Sequence, residues 1–309
     1  MVTPGENAAA SPGTADVPVG GTGCGGRLTA EVSPGTTAVR RIESGGLTRE
    51  YRIHVPVGSG PAARMPVVFN FHGRYANAPT QESYSGLTPT SDREGFLLVS
   101  PEGAGSPQAW SAGATPPSTV DDVRFVGDLL DTLERDFCVD PSRVYAAGMS
   151  NGGFMASKLG CTMGDRFAAI ATVGGIHFPS EQCGTPVPVL AIHGSADQVV
   201  PFAGGKIRDT YPYPGARKSV AQWAAFNGCT VAVTTERIAP HAVRETSTGC
   251  RAATVLIVGE GDGHTWPGAS DALAMGKTSR EFSAAEMIWQ FFAGQRRVSL
   301  AEGSVSIGP

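Results

Sequence analysis

No stretch of this 309-residue chain approaches the roughly 20 consecutive apolar residues that a membrane-spanning helix needs. Basic runs are equally scarce. The longest are pairs, Arg40-Arg41 and Arg296-Arg297 among them, and the formal net charge is -4. Neither a nucleic-acid footprint nor a polybasic membrane patch is present, so neither partner is expected. No H-E-x-x-H segment, no His/Cys cluster at metal spacing and no G-x-x-x-x-G-K-[ST] loop occurs, which leaves metal and nucleotide chemistry without support. None of the cysteines forms a C-x-x-C pair, which argues against a zinc ribbon or a thioredoxin-like site. Residues 1–23 contain no basic n-region and no apolar h-region, so no signal peptide is read there. If the protein is secreted, its leader has been removed.

What is present is a soluble composition, 41% apolar, with 41 glycines and 23 prolines that predict many loops. The six cysteines, Cys24, Cys138, Cys161, Cys183, Cys229 and Cys250, are even in number and widely spaced, which fits three disulfides and an oxidising compartment. Short loops favour Cys229–Cys250 and Cys161–Cys183, leaving Cys24–Cys138 to staple the N-terminal arm to the body. Six reduced, buried thiols in a cytosolic enzyme are the alternative.

Residues 1–26 read as a flexible Gly/Pro-rich arm, 27–295 as one catalytic domain, and 296–309 as a loose tail. Alternation over 37–43 and 47–57, around Ser44-Gly45-Gly46, predicts a hairpin. Buried strands are expected at 65–71, 96–99, 167–173 and 187–192, and further strands at 231–238 and 253–258. The clearest helix covers 119–137, with Val126, Leu129, Leu130, Leu133 and Phe137 on one face. Thr119 is its expected cap, with Asp121 and Asp122 in the first turn. Helices are also expected at 217–227 and 281–293, and residues 103–118 form a long loop. Strands alternating with helices indicate an α/β fold with a mostly parallel sheet.

One segment carries the chemistry. Gly148-Met149-Ser150-Asn151-Gly152 is a G-x-S-x-G box, preceded by strand character and followed by helix character. A serine on such a turn presents its hydroxyl at the head of a sheet as a nucleophile. It needs a base, and the base an orienting acid. Among only six histidines, His264 follows the last predicted strand within Gly263-His264-Thr265-Trp266-Pro267-Gly268. Asp197, on the turn after strand 187–192, completes a Ser…Asp…His order. Asp262 is the competing acid, but it lies two residues from His264, too near in sequence to orient the ring from behind. The N–H groups of Asn151 and of Arg74, after Phe71-His72-Gly73, are the expected oxyanion donors. Trp110 and Trp266 are candidate walls for an acyl or aromatic group, with plain packing as the alternative.

The segments Phe71-His72-Gly73, Asp121-Asp122-Val123, Gly148–Gly153, His193-Gly194-Ser195-Ala196-Asp197 with Val200-Pro201, and Gly263–Gly268 together resemble the polyhydroxybutyrate depolymerase/feruloyl esterase family of secreted α/β-hydrolases. The resemblance runs over residues 35–293. It implies an α/β-hydrolase fold and the triad Ser150, Asp197 and His264. It also implies the pairings Cys229–Cys250 and Cys161–Cys183. Cys24 and Cys138 are similar to the cysteine-rich feruloyl-esterase branch. Arg74 is a departure, standing where many relatives carry a small residue or cysteine. A second departure is that no fibronectin-like or substrate-binding domain is read after residue 293, so either a free-standing esterase or a catalytic domain alone is expected.

The expected protein is therefore a secreted, monomeric serine ester hydrolase that needs no cofactor and acts on feruloyl or acetyl plant-wall esters. Poly(3-hydroxybutyrate) or another polyester is the alternative substrate. Rivals from other classes are a serine peptidase, a cytosolic thioesterase and a non-catalytic polymer-binding module with a relic triad.

Overall fold

The computed structural model describes residue 24 and residues 32–60, 62–113, 120–179, 182–270 and 275–297. The expected arm therefore lies outside the described residues apart from Cys24, as do Thr119 and most of the tail.

The chain opens with the expected hairpin. Strands β1 (Thr36–Ser44) and β2 (Leu47–Val55) pair antiparallel from Thr36↔Val55 to Ser44↔Leu47. Gly45 and Gly46 both take positive φ, as a two-residue turn between right-twisted strands requires. Strand β3 (Met65–Phe71) follows, then helices α1 (Ala78–Ser85) and α2 (Leu87–Glu94), and strand β4 (Leu97–Pro101). Helix α3 (Asp122–Asp136) leads into β5 (Val139–Met149), α4 (Asn151–Thr162) and β6 (Ala169–Val173). Then come β7 (Val189–Gly194), the small pair β8 (Gly205–Ile207) and β9 (Tyr211–Tyr213), and α5 (Ala216–Phe226). Strands β10 (Val233–Ala239), β11 (Ala242–Ser247) and β12 (Thr254–Gly259) precede the last helix, α6 (Ala284–Ala293).

Ten strands form one sheet in the order β1-β2-β4-β3-β5-β6-β7-β12-β11-β10. Its centre, from β4 to β12, is parallel; the hairpins at both borders are antiparallel. The fully buried parallel strands read as continuous apolar runs because both faces are covered. On one face Phe125, Leu129 and Leu133 of α3, Phe154 and Leu159 of α4 and Trp223 of α5 join the core. On the other, Tyr84 and Leu87 pack with Ile288, Trp289 and Phe292 of α6. Each such side chain removed from water stabilises the fold by about 1.5–3 kcal/mol before entropy is counted.

One detail of α3 differs from expectation. Its cap is Asp121, whose side chain accepts the Arg124 N–H at 2.9 Å. Asp122 stands in the first turn as expected, and its carboxylate points inward: it meets buried Arg49 at 2.8 Å and accepts the Ser111 N–H at 2.8 Å. A buried carboxylate needs such partners. Here they fix the loop after β4 onto the body.

All three expected cysteine pairings are present: Cys24–Cys138, Cys161–Cys183 and Cys229–Cys250. No helix among the described residues is long and apolar enough to cross a membrane.

Candidate active site

The parallel register brings four strand ends to one edge. Phe71 pairs with Gly148, Met149 with Val173, and Gly194 with Gly259. The loops that follow β3, β5, β7 and β12 therefore meet there, where parallel sheets collect their ligands.

Ser150 occupies the turn between β5 and α4 with φ 54° and ψ −119°. A non-glycine residue in that region is strained by about 1–3 kcal/mol. The surroundings hold it: its N–H donates to Val173 O at 2.8 Å and its carbonyl accepts the Phe154 N–H at 3.0 Å. The flanking glycines are required by contact. A Cβ at Gly148 would lie 2.3 Å from the Gly152 carbonyl oxygen, and one at Gly152 would lie 2.1 Å from that of Phe71. Neither backbone can yield without moving the serine.

His264 is buried, and its Nδ1 lies 2.7 Å from Asp197 Oδ2. Asp197 is itself surrounded by donors. Its Oδ1 accepts the N–H groups of Val199 and Val200, both at 2.8 Å. His193 Nε2 stands 3.2 Å from Oδ2 and 2.9 Å from Val200 O. Burial alone would raise the Asp197 pKa, but hydrogen bonds from His193 and His264 outweigh it and hold the carboxyl well below the usual range. Asp262 is not part of this arrangement. Its Oδ2 is buried without a hydrogen-bond partner, and burial lifts its pKa to about 6.

Ser150 and His264 line the same cleft of about 280 Å³, with Gly73, Arg74, Tyr75, Tyr84, Met149 and Met275 among its walls. The loop after β3 is braced from behind by His72. Its Nδ1 meets the Gly73 carbonyl at 2.7 Å, and its Nε2 accepts the Gly103 N–H at 2.9 Å. An acceptor Nε2 makes the ring neutral with the proton on Nδ1. Burial keeps it so, lowering the pKa to about 4. Asn151 begins α4, where the first backbone N–H groups of a helix have no partner within it. Its side chain is engaged elsewhere: Oδ1 accepts the Trp110 N–H at 2.7 Å and Nδ2 donates to Trp110 O at 3.2 Å.

The two tryptophans expected as cleft walls do not line it. Both are 1% exposed. Trp110 donates its Nε1–H to His72 O at 2.9 Å and packs edge-on against Phe71. Trp266 stands behind the wall, its backbone N–H donating to the Tyr84 hydroxyl at 3.2 Å. The lining belongs instead to Tyr75, Tyr84, Met149 and Met275, of which only Met149 lies in a sequence motif. His193 was visible only as part of the segment ending at Asp197; its contact with the carboxylate depends on the turn that brings position 197 back over the strand.

Comparisons with known proteins identify relatives of the chain. The family described as Esterase PHB depolymerase matches residues 49–222. "Putative esterase NocK" of Nocardia uniformis subsp. tsuyamanensis is 32% identical over 297 residues, which cover 85% of this chain and 84% of that protein. Feruloyl esterase B of Piromyces equi is 32% identical over 199 residues, 59% of this chain, and the match spans 36% of that protein's length. Among solved structures, an acetyl xylan esterase from Aspergillus awamori superposes with a TM-score of 0.62 at 17% identity, covering 83% of this chain and 99% of its own. A thermostable esterase does so at 0.54 and 15%, covering 84% of this chain and 63% of its own. The architecture is thus that of the α/β-hydrolases. The chain belongs to the Esterase PHB depolymerase family and is a carboxylic ester hydrolase.

Proposed function

We propose that this is a secreted serine esterase in which Ser150, His264 and Asp197 form the catalytic triad. The observation that carries the reading is the buried His264–Asp197 pair at 2.7 Å, sharing one cleft with a serine held in a strained turn. Ser150 Oγ attacks the ester carbonyl carbon as His264 Nε2 takes its proton. The carbonyl π electrons move to oxygen, and the N–H groups of Asn151 and Arg74 receive that oxyanion. Collapse breaks the ester C–O bond, and His264 passes its proton to the departing alcohol. Water, deprotonated by the same imidazole, then releases the acid from Ser150. Asp197 keeps Nδ1 protonated and stabilises the imidazolium without taking the proton itself.

For substrate, we favour feruloyl or acetyl esters of plant-wall polysaccharides over hydroxyalkanoate polyesters. Relatives named feruloyl esterase and the acetyl xylan esterase superposition support that order. Three disulfides support an oxidising, extracellular setting. The test is a hydrolysis panel of methyl ferulate, acetylated xylan, poly(3-hydroxybutyrate) and p-nitrophenyl esters, run with the wild type and Ser150→Ala. Turnover of the first two, abolished by Ser150→Ala together with fluorophosphonate labelling, is the expected result. Activity surviving the substitution would move the nucleophile elsewhere, and turnover of the polyester alone would overturn the substrate order.

A further inference from the structure

The cleft is apolar in depth and cationic at its edge. Tyr84 and Met149 are buried in its wall, whereas Tyr75 is 64% exposed. Two arginines converge on that tyrosine. Arg74 Cζ lies 5.4 Å from the ring centroid, on the same loop. Arg208 arrives from the turn between β8 and β9, its Cζ 4.9 Å from the ring and its guanidinium donating to the Tyr75 hydroxyl. Hydrogen bonds from Arg208 and then Arg74 lower the pKa of that hydroxyl.

Among the described residues neither arginine has a counter-ion. Arg41, Arg52, Arg217 and Arg237 each meet a glutamate. Among the described residues no ion pair engages Arg74 or Arg208, not even with neighbouring Asp209, and Arg74 Nε is buried with no hydrogen-bond partner. The backbone is also spent on this arrangement. Tyr75 (φ 69°), Arg208 (φ 54°) and Asp209 (φ 57°) all sit in the left-handed region without being glycine. Strain of that kind collects at ligand clamps. Guanidinium groups that meet a tyrosine but, among the described residues, no carboxylate match a ligand with an apolar body and an anionic end.

We propose that Arg74 and Arg208, held around Tyr75, form an anion subsite, and that the preferred esters carry a carboxylate on the acyl segment, remote from the scissile bond. This rests on the reading of Ser150 as nucleophile in the same cleft. The probes are p-nitrophenyl hemiesters of adipic and suberic acid, compared with p-nitrophenyl hexanoate and octanoate. The leaving group is shared, so the ratio of kcat/KM reads the distal charge. At low salt the wild type should favour the hemiesters by about tenfold, the effect of one charge-assisted contact, and added sodium chloride should shrink the gap. Arg208→Gln should lower the ratio, Arg208→Glu should invert it, and Arg208→Lys should retain most of it; the neutral ester reports folding in each variant. A ratio near one in the wild type, or one that salt and Arg208→Glu leave unmoved, would overturn the subsite while leaving the esterase reading intact. Failure to hydrolyse either ester class would overturn both.

Discussion

Replacing Asp197 by Asn separates orientation of the base from everything else in the cleft. In the native site Oδ1 is fixed by two backbone N–H donors at 2.8 Å, and Oδ2 faces His264 Nδ1 at 2.7 Å and His193 Nε2 at 3.2 Å. An amide can satisfy the two backbone donors only with its oxygen. Its NH2 group must then point at both imidazoles. His264 Nδ1 would turn from donor to acceptor, and the proton would move to Nε2, the atom that in the proposed triad must be bare to receive the serine proton. A triad with the wrong tautomer loses on the order of 10⁴ in kcat, about 5.5 kcal/mol of barrier. Steady-state kinetics on p-nitrophenyl butyrate, with circular dichroism and thermal melting to show that the fold persists, measure the loss. A folded Asp197→Asn protein keeping more than about a tenth of wild-type kcat would refute the orientation argument.

Two further substitutions probe the buried titratable groups. Asp262→Asn should leave kcat within about threefold and stabilise the protein at pH 7, because it removes a charge that burial disfavours. The native pKa there is raised to about 6, so the gain should fade as pH falls below that value; denaturant melts at pH 7 and pH 5 would detect it. A collapse of kcat in this variant would mean the orienting acid had been misassigned. His72 has a folded pKa near 4, lowered from 6.5, so its neutral form contributes stability that is complete above 6.5 and is lost as pH falls towards 4. The difference amounts to at most about 3 kcal/mol. His72→Gln should flatten the fall in unfolding free energy between pH 7 and pH 4, and an unchanged slope would assign that acid sensitivity to other groups.

The parts of this protein that could be read from the chain are those in which local sequence and tertiary demand coincide. The elbow at Ser150 was legible because the contacts at Gly148 and Gly152 tolerate no side chain, which writes the geometry into residue type. The core strands were legible because burial on both faces makes them uniformly apolar. Helices α1 and α2 were not anticipated. The buried positions of α1 include Gln81 and Ser85, both hydrogen-bonded to Asn70, and Glu82, which accepts from Arg52, so no apolar period exists to detect. Strand β11, Ala-Val-Arg-Glu-Thr-Ser, is only partly buried over most of its length and was equally silent. Trp110 and Trp266 misled for a different reason. Proximity in sequence to the base and to a long loop placed them near the cleft, but large rings with a single N–H donor are as readily used to brace a loop as to face a ligand.

The two margins of the sheet carry a consequence for how copies of this molecule meet. An open sheet always ends in strands with unpaired backbone groups, and a second chain can add to them. Here the outermost strands bear charged side chains: Arg41 meets Glu50 at 2.7 Å beside one margin, and Glu236 meets Arg244 at 3.1 Å beside the other. A molecule docking there would have to strip water from those ions. Crowding of many copies should therefore concentrate the protein without seeding fibrous growth.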